Sequence, residues 1–276
     1  MRIAVVAPSS RFSREAADRV TTLAARVRPE VELHFHPQCF LTHNHFAGDD
    51  GARAEGLVEA ANDPAFDAIW FARGGYGSCR IAEAAIGRMG GRARDKAWLG
   101  YSDAGFLLAG LYRAGFADLA HGPMPQDIMR EGGDAAVIRA LDWLVERSPA
   151  VLEPKLEPGR PHAAFNITVL GMLLGTPLEP DLAGHVLLLE EVSEHMYATD
   201  RAMFHLTASE NIRQAAGIRL GRVSDVLPND PDFGEAAEDV VRRWCEDDAK
   251  IPYLGRADIG HDSANKVVPF GLWQPA

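Results

Sequence analysis

Apolar residues run unbroken from Ile3 to Ala7 and stop at Pro8-Ser9-Ser10, after which Ala17, Val20, Leu23, Ala24 and Val27 recur at helical spacing. A short continuous apolar run closed by a turn predicts a buried strand, and the recurrence predicts an amphipathic helix over 13–27. The alternation continues with a strand over 31–36, a helix over 52–61 and a buried strand over 68–72 that leads into Gly74-Gly75. A helix from about 80 to 89, a strand over 97–100, a helix over 104–113 and an apolar segment near Leu119 follow. Strands alternating with helices predict a parallel sheet covered on both faces.

A helix over 135–146 closes this half. The next stretch carries Pro149, Pro154, Pro158 and Pro161 without clear periodicity, so residues 148–162 read as a linker between units at 1–147 and 163–276. Beyond it, segments at 163–174, 186–189, 201–213, 223–226 and 236–245 mix strand and helix signals less regularly, which predicts a smaller α+β unit.

Length and composition narrow the function classes. At 276 residues the chain is long enough for one large or two modest domains. Its net charge of -11 supplies no general field for a phosphate backbone, so nucleic acid is not the expected partner. Cys39, Cys79 and Cys245 are widely spaced and odd in number, which is neither a metal signature nor a disulfide framework and suits a reducing compartment. The five-residue apolar run at the start is too short for a secretory signal, and no stretch reaches the roughly 20 apolar residues of a membrane span. A cytoplasmic protein with no membrane partner is expected.

Two strand-to-helix turns could carry chemistry. Arg73-Gly74-Gly75-Tyr76-Gly77-Ser78-Cys79-Arg80 follows a buried strand, and its glycines would let backbone amides approach developing negative charge. The plainer reading is a tight turn. It matches neither a dinucleotide fingerprint nor a phosphate loop. Gly100-Tyr101-Ser102-Asp103 places a serine at the sharp end of another buried strand, where ligands of open α/β sheets bind. Ser102 is therefore a candidate nucleophile, with a helix N-cap as the alternative.

A serine nucleophile needs a base and an acid to orient it. His34-x-His36 and His43-x-His45 lack companion ligands at metal spacing, so a solvated surface is expected there rather than a zinc site. His121, in His121-Gly122-Pro123-Met124, and His261, in Ile259-Gly260-His261-Asp262, both suit the base, and spacing does not choose between them. For the acid, the strand over 186–189 ends on Glu190-Glu191, although both glutamates could simply open a solvated turn beside Glu194 and Arg201.

Taken together, IAVVAPSS, DAIWFARGGYGSCRI, LGYSDAGFLL, HGPM, LLGTPLEPDLAGHVLLLEEVSEH and GHDSANKVVPFG resemble the LD-carboxypeptidase family of serine peptidases, which also holds the microcin C immunity hydrolases. The likeness runs over essentially the whole chain. It implies a Ser102, Glu190, His261 triad and an oxyanion hole from the backbone amides of Gly75 and Asp103. It also implies a Rossmann- or flavodoxin-like parallel-sheet domain carrying the serine, a smaller C-terminal domain carrying Glu190 and His261, the site between them, and a homodimer. The family's substrates are murein tetrapeptides, cleaved to release the terminal D-alanine, with no cofactor. Such peptides are rich in carboxylates, which the net charge would repel, so the cleft must be locally positive. Arg73, Arg80 and Arg201 are the candidate substrate-binding cations.

Departures from the family pattern bear on the choice of substrate. The segment between Asp127 and His162 lacks an aromatic-rich insertion, which favours a carboxypeptidase over a peptidyl- or aminoacyl-nucleotide hydrolase with the same triad. Ala164-Phe165-Asn166 stands where relatives often carry GGN. The rival from another class is an inactive protein that binds a small anion at the glycine loop.

Overall fold

The computed structural model describes residues 1–273, so the last three residues of the 163–276 unit lie outside the description. Strands β1 (Arg2–Val6), β2 (Glu32–Phe35), β3 (Ala68–Phe71), β4 (Ala97–Gly100) and β5 (Leu119–His121) pair in parallel in the order β5-β4-β3-β1-β2. β3 and β4 are buried at every position, which is why AIWF and AWLG show no alternation of polar and apolar residues. The helix Arg14–Val27 begins at Ser13, whose hydroxyl accepts the Ala16 N–H at 3.1 Å, and turns Ala16, Ala17, Val20, Leu23 and Ala24 inward.

This is the flavodoxin-like strand order, and its direction reverses between β1 and β3. The loops leaving those two strands therefore diverge and open a crevice at the carboxyl edge of the sheet. They are the loop that follows Val6 and the one that opens with Ala72-Arg73-Gly74.

The second half carries a sheet of its own. β6 (Pro161–Asn166), β7 (Val186–Val192), β8 (Gly217–Ser224) and β9 (Tyr253–Arg256) are parallel and adjacent in that order, with the helices Ile167–Leu173, Met196–Ala208 and Ala237–Arg243 between them. The irregular signals there have local causes. The segment at 163–174 contains both the end of β6 and the start of a helix, and that at 201–213 contains two helices that part at Ser209. A strand expected at 223–226 lies instead at Gly217–Ser224, because Gly217, Gly221 and two arginines dilute its apolar pattern. Gly221 is required by close packing: a Cβ there would stand 2.6 Å from the Ile259 carbonyl oxygen.

The two sheets are stitched together by the end of the chain. β10 (Val268–Pro269) runs antiparallel to β5, and β11 (Gly271–Leu272) runs antiparallel to β6. Phe270 lies between them, with its ring centroid 5.2 Å from Phe165 and 5.8 Å from Tyr112. It belongs to one apolar cluster that includes Leu107 and Phe106 from the first half and Phe165 and Leu187 from the second. Burying one such side chain contributes roughly 1.5–3 kcal/mol, so the terminal segment fixes the two lobes against each other. The proline-rich stretch runs along this segment, with Leu152 bridging Val267 and Glu153 accepting the Asp258 N–H at 3.2 Å. No helix among the described residues is long and apolar enough to cross a membrane.

Candidate active site

β4 ends at Gly100, and Tyr101 continues extended before Ser102 turns to a φ of 59° and the chain enters a tight turn that runs into the helix Gly105–Arg113. A left-handed conformation at a serine costs about 1–3 kcal/mol unless its surroundings enforce it. Here they do. The buried Asp103 carboxylate accepts the Ser78 N–H at 2.8 Å and the Ser9 hydroxyl, and the Ser78 hydroxyl donates to the Asp103 carbonyl at 2.5 Å. Burial pushes the Asp103 carboxyl up although these hydrogen bonds favour its charged form. The elbow is thus tied to the loops that leave β1 and β3.

Ser102 does not serve as a helix N-cap: Ala104 holds that position for the helix Gly105–Arg113, Tyr101 holds it for the turn before, and neither carries a side-chain cap hydrogen bond. Gly74 passes against Ser102 so closely that a Cβ would stand 2.8 Å from the serine Oγ and 3.5 Å from the Asp103 amide nitrogen. The Gly75 and Asp103 amides donate to no backbone acceptor among the loop and cap hydrogen bonds of the described residues.

Glu190 and Glu191 separate cleanly. Consecutive strand residues face opposite sides of a sheet, and the pairing of β7 with β8 shifts register between Leu189 and Glu191, which re-aims the residue between them. Glu191 accepts from Asn166 Nδ2 at 2.5 Å and from the Thr168 N–H at 2.9 Å, so it ties the start of the helix Ile167–Leu173 to β7. Asn166, the last residue of the Ala164-Phe165-Asn166 departure, also caps that helix. Glu190 is wholly buried and places Oε2 2.5 Å from His261 Nδ1. Burial alone would lower the His261 pKa, but the Glu190 charge and hydrogen bond raise it above the ordinary imidazole value.

Of the two histidines left open by spacing, the structure brings His261 against the carboxylate. His121 lies beneath it, hydrogen-bonded through Nε2 to Asn265 Oδ1 at 3.3 Å, and burial pushes its pKa down to about 3. Between them lies Tyr101, whose ring centroid is 4.9 Å from that of His261. Tyr101 donates its hydroxyl to Asp127 Oδ1 at 2.8 Å, and Arg130 links Asp127 at 3.0 Å to the His261 carbonyl at 2.7 Å. Sequence reasoning missed Tyr101, Asp127, Arg130 and Gly221. Only Tyr101, inside the serine block, carried a local signal.

The three candidate arginines are dispersed. Arg80 is engaged by Asp50 at 2.7 Å and sits over the Phe46 ring. Arg201 lies over the Tyr197 ring on the helix Met196–Ala208 and lines a cavity with Met172 and Phe204. Arg73 stands beside the glycine loop and donates Nη1 to the Arg11 carbonyl at 3.1 Å. The paired histidines have other engagements: His36 faces Glu59 at 3.0 Å and His45 meets Ser10 Oγ at 3.0 Å. Among the described residues no group of three His, Cys, Asp or Glu side chains is placed to hold a metal ion.

Comparison with known proteins places both halves of the chain in one family. Residues 3–122 match the family model of the LD-carboxypeptidase N-terminal domain, and residues 163–274 match that of the C-terminal domain. The "Murein tetrapeptide carboxypeptidase" of Pseudomonas aeruginosa is 28% identical over 98% of this chain and 91% of its own length. The "Probable murein peptide carboxypeptidase" of Bacillus subtilis is 30% identical over 83% of this chain and 74% of its own. Among solved structures, a muramoyltetrapeptide carboxypeptidase from Oxalobacter formigenes superposes with a TM-score of 0.80 at 22% identity, covering 98% of this chain and 93% of that one. The wild-type microcin C7 self-immunity protein superposes with a TM-score of 0.79 at 18% identity, covering 98% and 91%. At these identities the two structures show a shared fold.

Proposed function

Because the chain belongs to the LD-carboxypeptidase family, we propose that it is a serine carboxypeptidase that cleaves the L-D amide bond of murein tetrapeptides and releases the terminal D-alanine. The observation that carries this reading is the buried Glu190–His261 pair at 2.5 Å beside a serine elbow with a left-handed φ. The name of the Pseudomonas aeruginosa relative supports the choice of substrate.

In this mechanism His261 Nε2 takes the Ser102 proton as Oγ attacks the scissile carbonyl, and Glu190 holds the imidazole tautomer and stabilises its charged form. The Gly75 and Asp103 amides receive the oxyanion. Collapse of the tetrahedral intermediate breaks the C–N bond, and His261 returns the proton to the leaving amine of D-alanine. Water, deprotonated by the same imidazole, then attacks the acyl-serine and frees the tripeptide. The chain's own groups suffice for each step. The absence of a Ser102–His261 hydrogen bond is in keeping with sites whose catalytic contacts tighten only around substrate. A homodimer belongs to the same proposal on the strength of the resemblance and is checked by light scattering.

The test is to incubate the protein with a murein tetrapeptide and follow tripeptide and D-alanine by mass spectrometry. Turnover that disappears in Ser102→Ala is expected. Equal turnover in Ser102→Ala would remove the assigned nucleophile, and activity on a peptidyl nucleotide with none on tetrapeptides would replace the substrate.

A further inference from the structure

The crevice at the reversal of strand order is unusually positive for a chain of net charge -11. A cavity of about 400 Å³ opens there, lined by Arg11, Arg14, Arg73, Phe40 and Gln126 among others. We infer that this cavity is an anion subsite in which Arg11, Arg14 and Arg73 hold a carboxylate of the peptide substrate. The inference rests on the proposed carboxypeptidase reading and names a substrate contact that the triad does not provide.

Unmatched charge is the first argument. Arg28, Arg53, Arg80, Arg222 and Arg243 all pair with carboxylates. Among the described residues none of Arg11, Arg14 and Arg73 has a carboxylate within 4.0 Å, although acidic side chains outnumber basic ones 39 to 28. Burial together with the Arg11 charge disfavours the charged form of Arg73. A bound anion would relieve this cost.

An unused polar atom is the second. Arg73 Nε, a donor that an anion can complete, is buried at this cavity without a hydrogen-bond partner. Such groups cost free energy unless something completes them. Arg14 lies over the Phe40 ring at 4.4 Å, which orients its planar fork. Carboxylates are the anions that such forks bind in bidentate fashion.

Position is the third. The crevice lies where open α/β sheets bind ligands, and two of its lining residues stand one or two positions from residues that touch the serine turn. Arg73 precedes Gly74, which touches Ser102; Ser9, two residues before Arg11, bonds Asp103; and the Gln126 N–H donates to the Ala72 carbonyl at 3.0 Å. A peptide with its scissile bond at Ser102 would present a neighbouring carboxylate here.

The experiment compares steady-state hydrolysis of three tetrapeptides: one unmodified, one amidated at its C-terminus and one amidated at an upstream carboxylate. Arg73→Gln and Arg14→Gln are each expected to raise KM for the unmodified peptide by about 10- to 100-fold, with kcat changed less than about threefold. One of the two amidated peptides is expected to bind the unsubstituted protein as weakly as the variants bind the parent, and to lose no more in them. The amide that does so identifies whether the terminal or the upstream carboxylate occupies the subsite. KM rises of equal size on all three peptides, or none, would overturn the inference. If no tetrapeptide is turned over, the side-chain Nε–H resonance of Arg73 is followed by NMR during titration with tricarballylate. A saturable shift lost in Arg14→Gln retains the subsite while the proposed reaction falls, and no shift overturns both.

Discussion

Glu190 Oε2 and His261 Nδ1 lie 2.5 Å apart although 71 residues separate them in the chain. The contact is made where β7 reaches its carboxyl end and the loop after β9 folds back over it. In the proposed mechanism His261 must be neutral to accept a proton, and Glu190 raises its pKa against the effect of burial. The kcat/KM of the unsubstituted protein should therefore rise with pH through a limb above the ordinary imidazole pKa of about 6.5. In Glu190→Gln the burial remains and the charge is gone, so the limb should move to lower pH while kcat falls by roughly 10³–10⁴. A pH–rate profile of both proteins checks this, and a limb that stays in place would remove Glu190 from the role.

Gly74 gives a geometric test of the elbow. An alanine there would bring its methyl group 2.8 Å from Ser102 Oγ and 2.9 Å from Ser102 Cβ, too close for the serine to keep its place. Displacement of a nucleophile by about 1 Å costs on the order of 10² in rate. Gly74→Ala should therefore lose about that factor in kcat under conditions where the variant, destabilised by about 1–3 kcal/mol, remains folded. Full activity would show that the loop can yield.

Gly221 tests the other wall. An added methyl group would meet the Ile259 carbonyl oxygen at 2.6 Å and Glu190 Cβ at 3.0 Å, and the carbonyl belongs to backbone that leads directly into His261. Overpacking of this kind costs about 1–3 kcal/mol. Gly221→Ala should lower the unfolding free energy measured in urea by that amount and reduce kcat, because the strain falls on both Glu190 and the backbone leading into His261. A variant as active and stable as the parent would show that the two walls are not rigidly coupled.

Acid should weaken the fold through its buried histidines. Burial holds His121 at about 3 and His162 at about 4, whereas in the unfolded chain both take up protons near 6.5. Their contribution is complete above that value and declines as pH falls toward the folded pKa, by up to about 1.4 kcal/mol per pH unit for each. His261 acts in the opposite sense, since its raised pKa contributes below 6.5 and is lost above its folded value. Urea unfolding at pH 7 and pH 5 should show the lower stability at pH 5. His121→Gln, which cannot take up a proton, should reduce that difference, and an unchanged difference would exclude His121 as a source.

The extent to which all this could be read from the chain follows from the range of the forces involved. Buried strands such as AIWF and AWLG, the Ser13-capped helix and the sharp Gly100-Tyr101-Ser102 turn are set by neighbours a few residues away, and all are legible in one pass along the first half. Less of the second half is legible. β8 is diluted by Gly221, which admits Ile259 and Glu190, and by Gly217, which admits Leu254, so its pattern reports contacts 30 or more residues away rather than its own strand.

By itself the sequence determined the alternating α/β plan, the serine at a strand end and the six blocks that place the chain in its family. Only the tertiary structure decided which partners those residues have. It turned Glu190 toward His261 and Glu191 toward Asn166, buried His121 beneath the site, and returned the last strands to both sheets. It also sent Arg80 to Asp50 while leaving Arg73 with Arg11 and Arg14 at the crevice. Periodicity is a property of adjacent residues, whereas the pairing of charges depends on strand register and burial, which are settled only when distant segments pack.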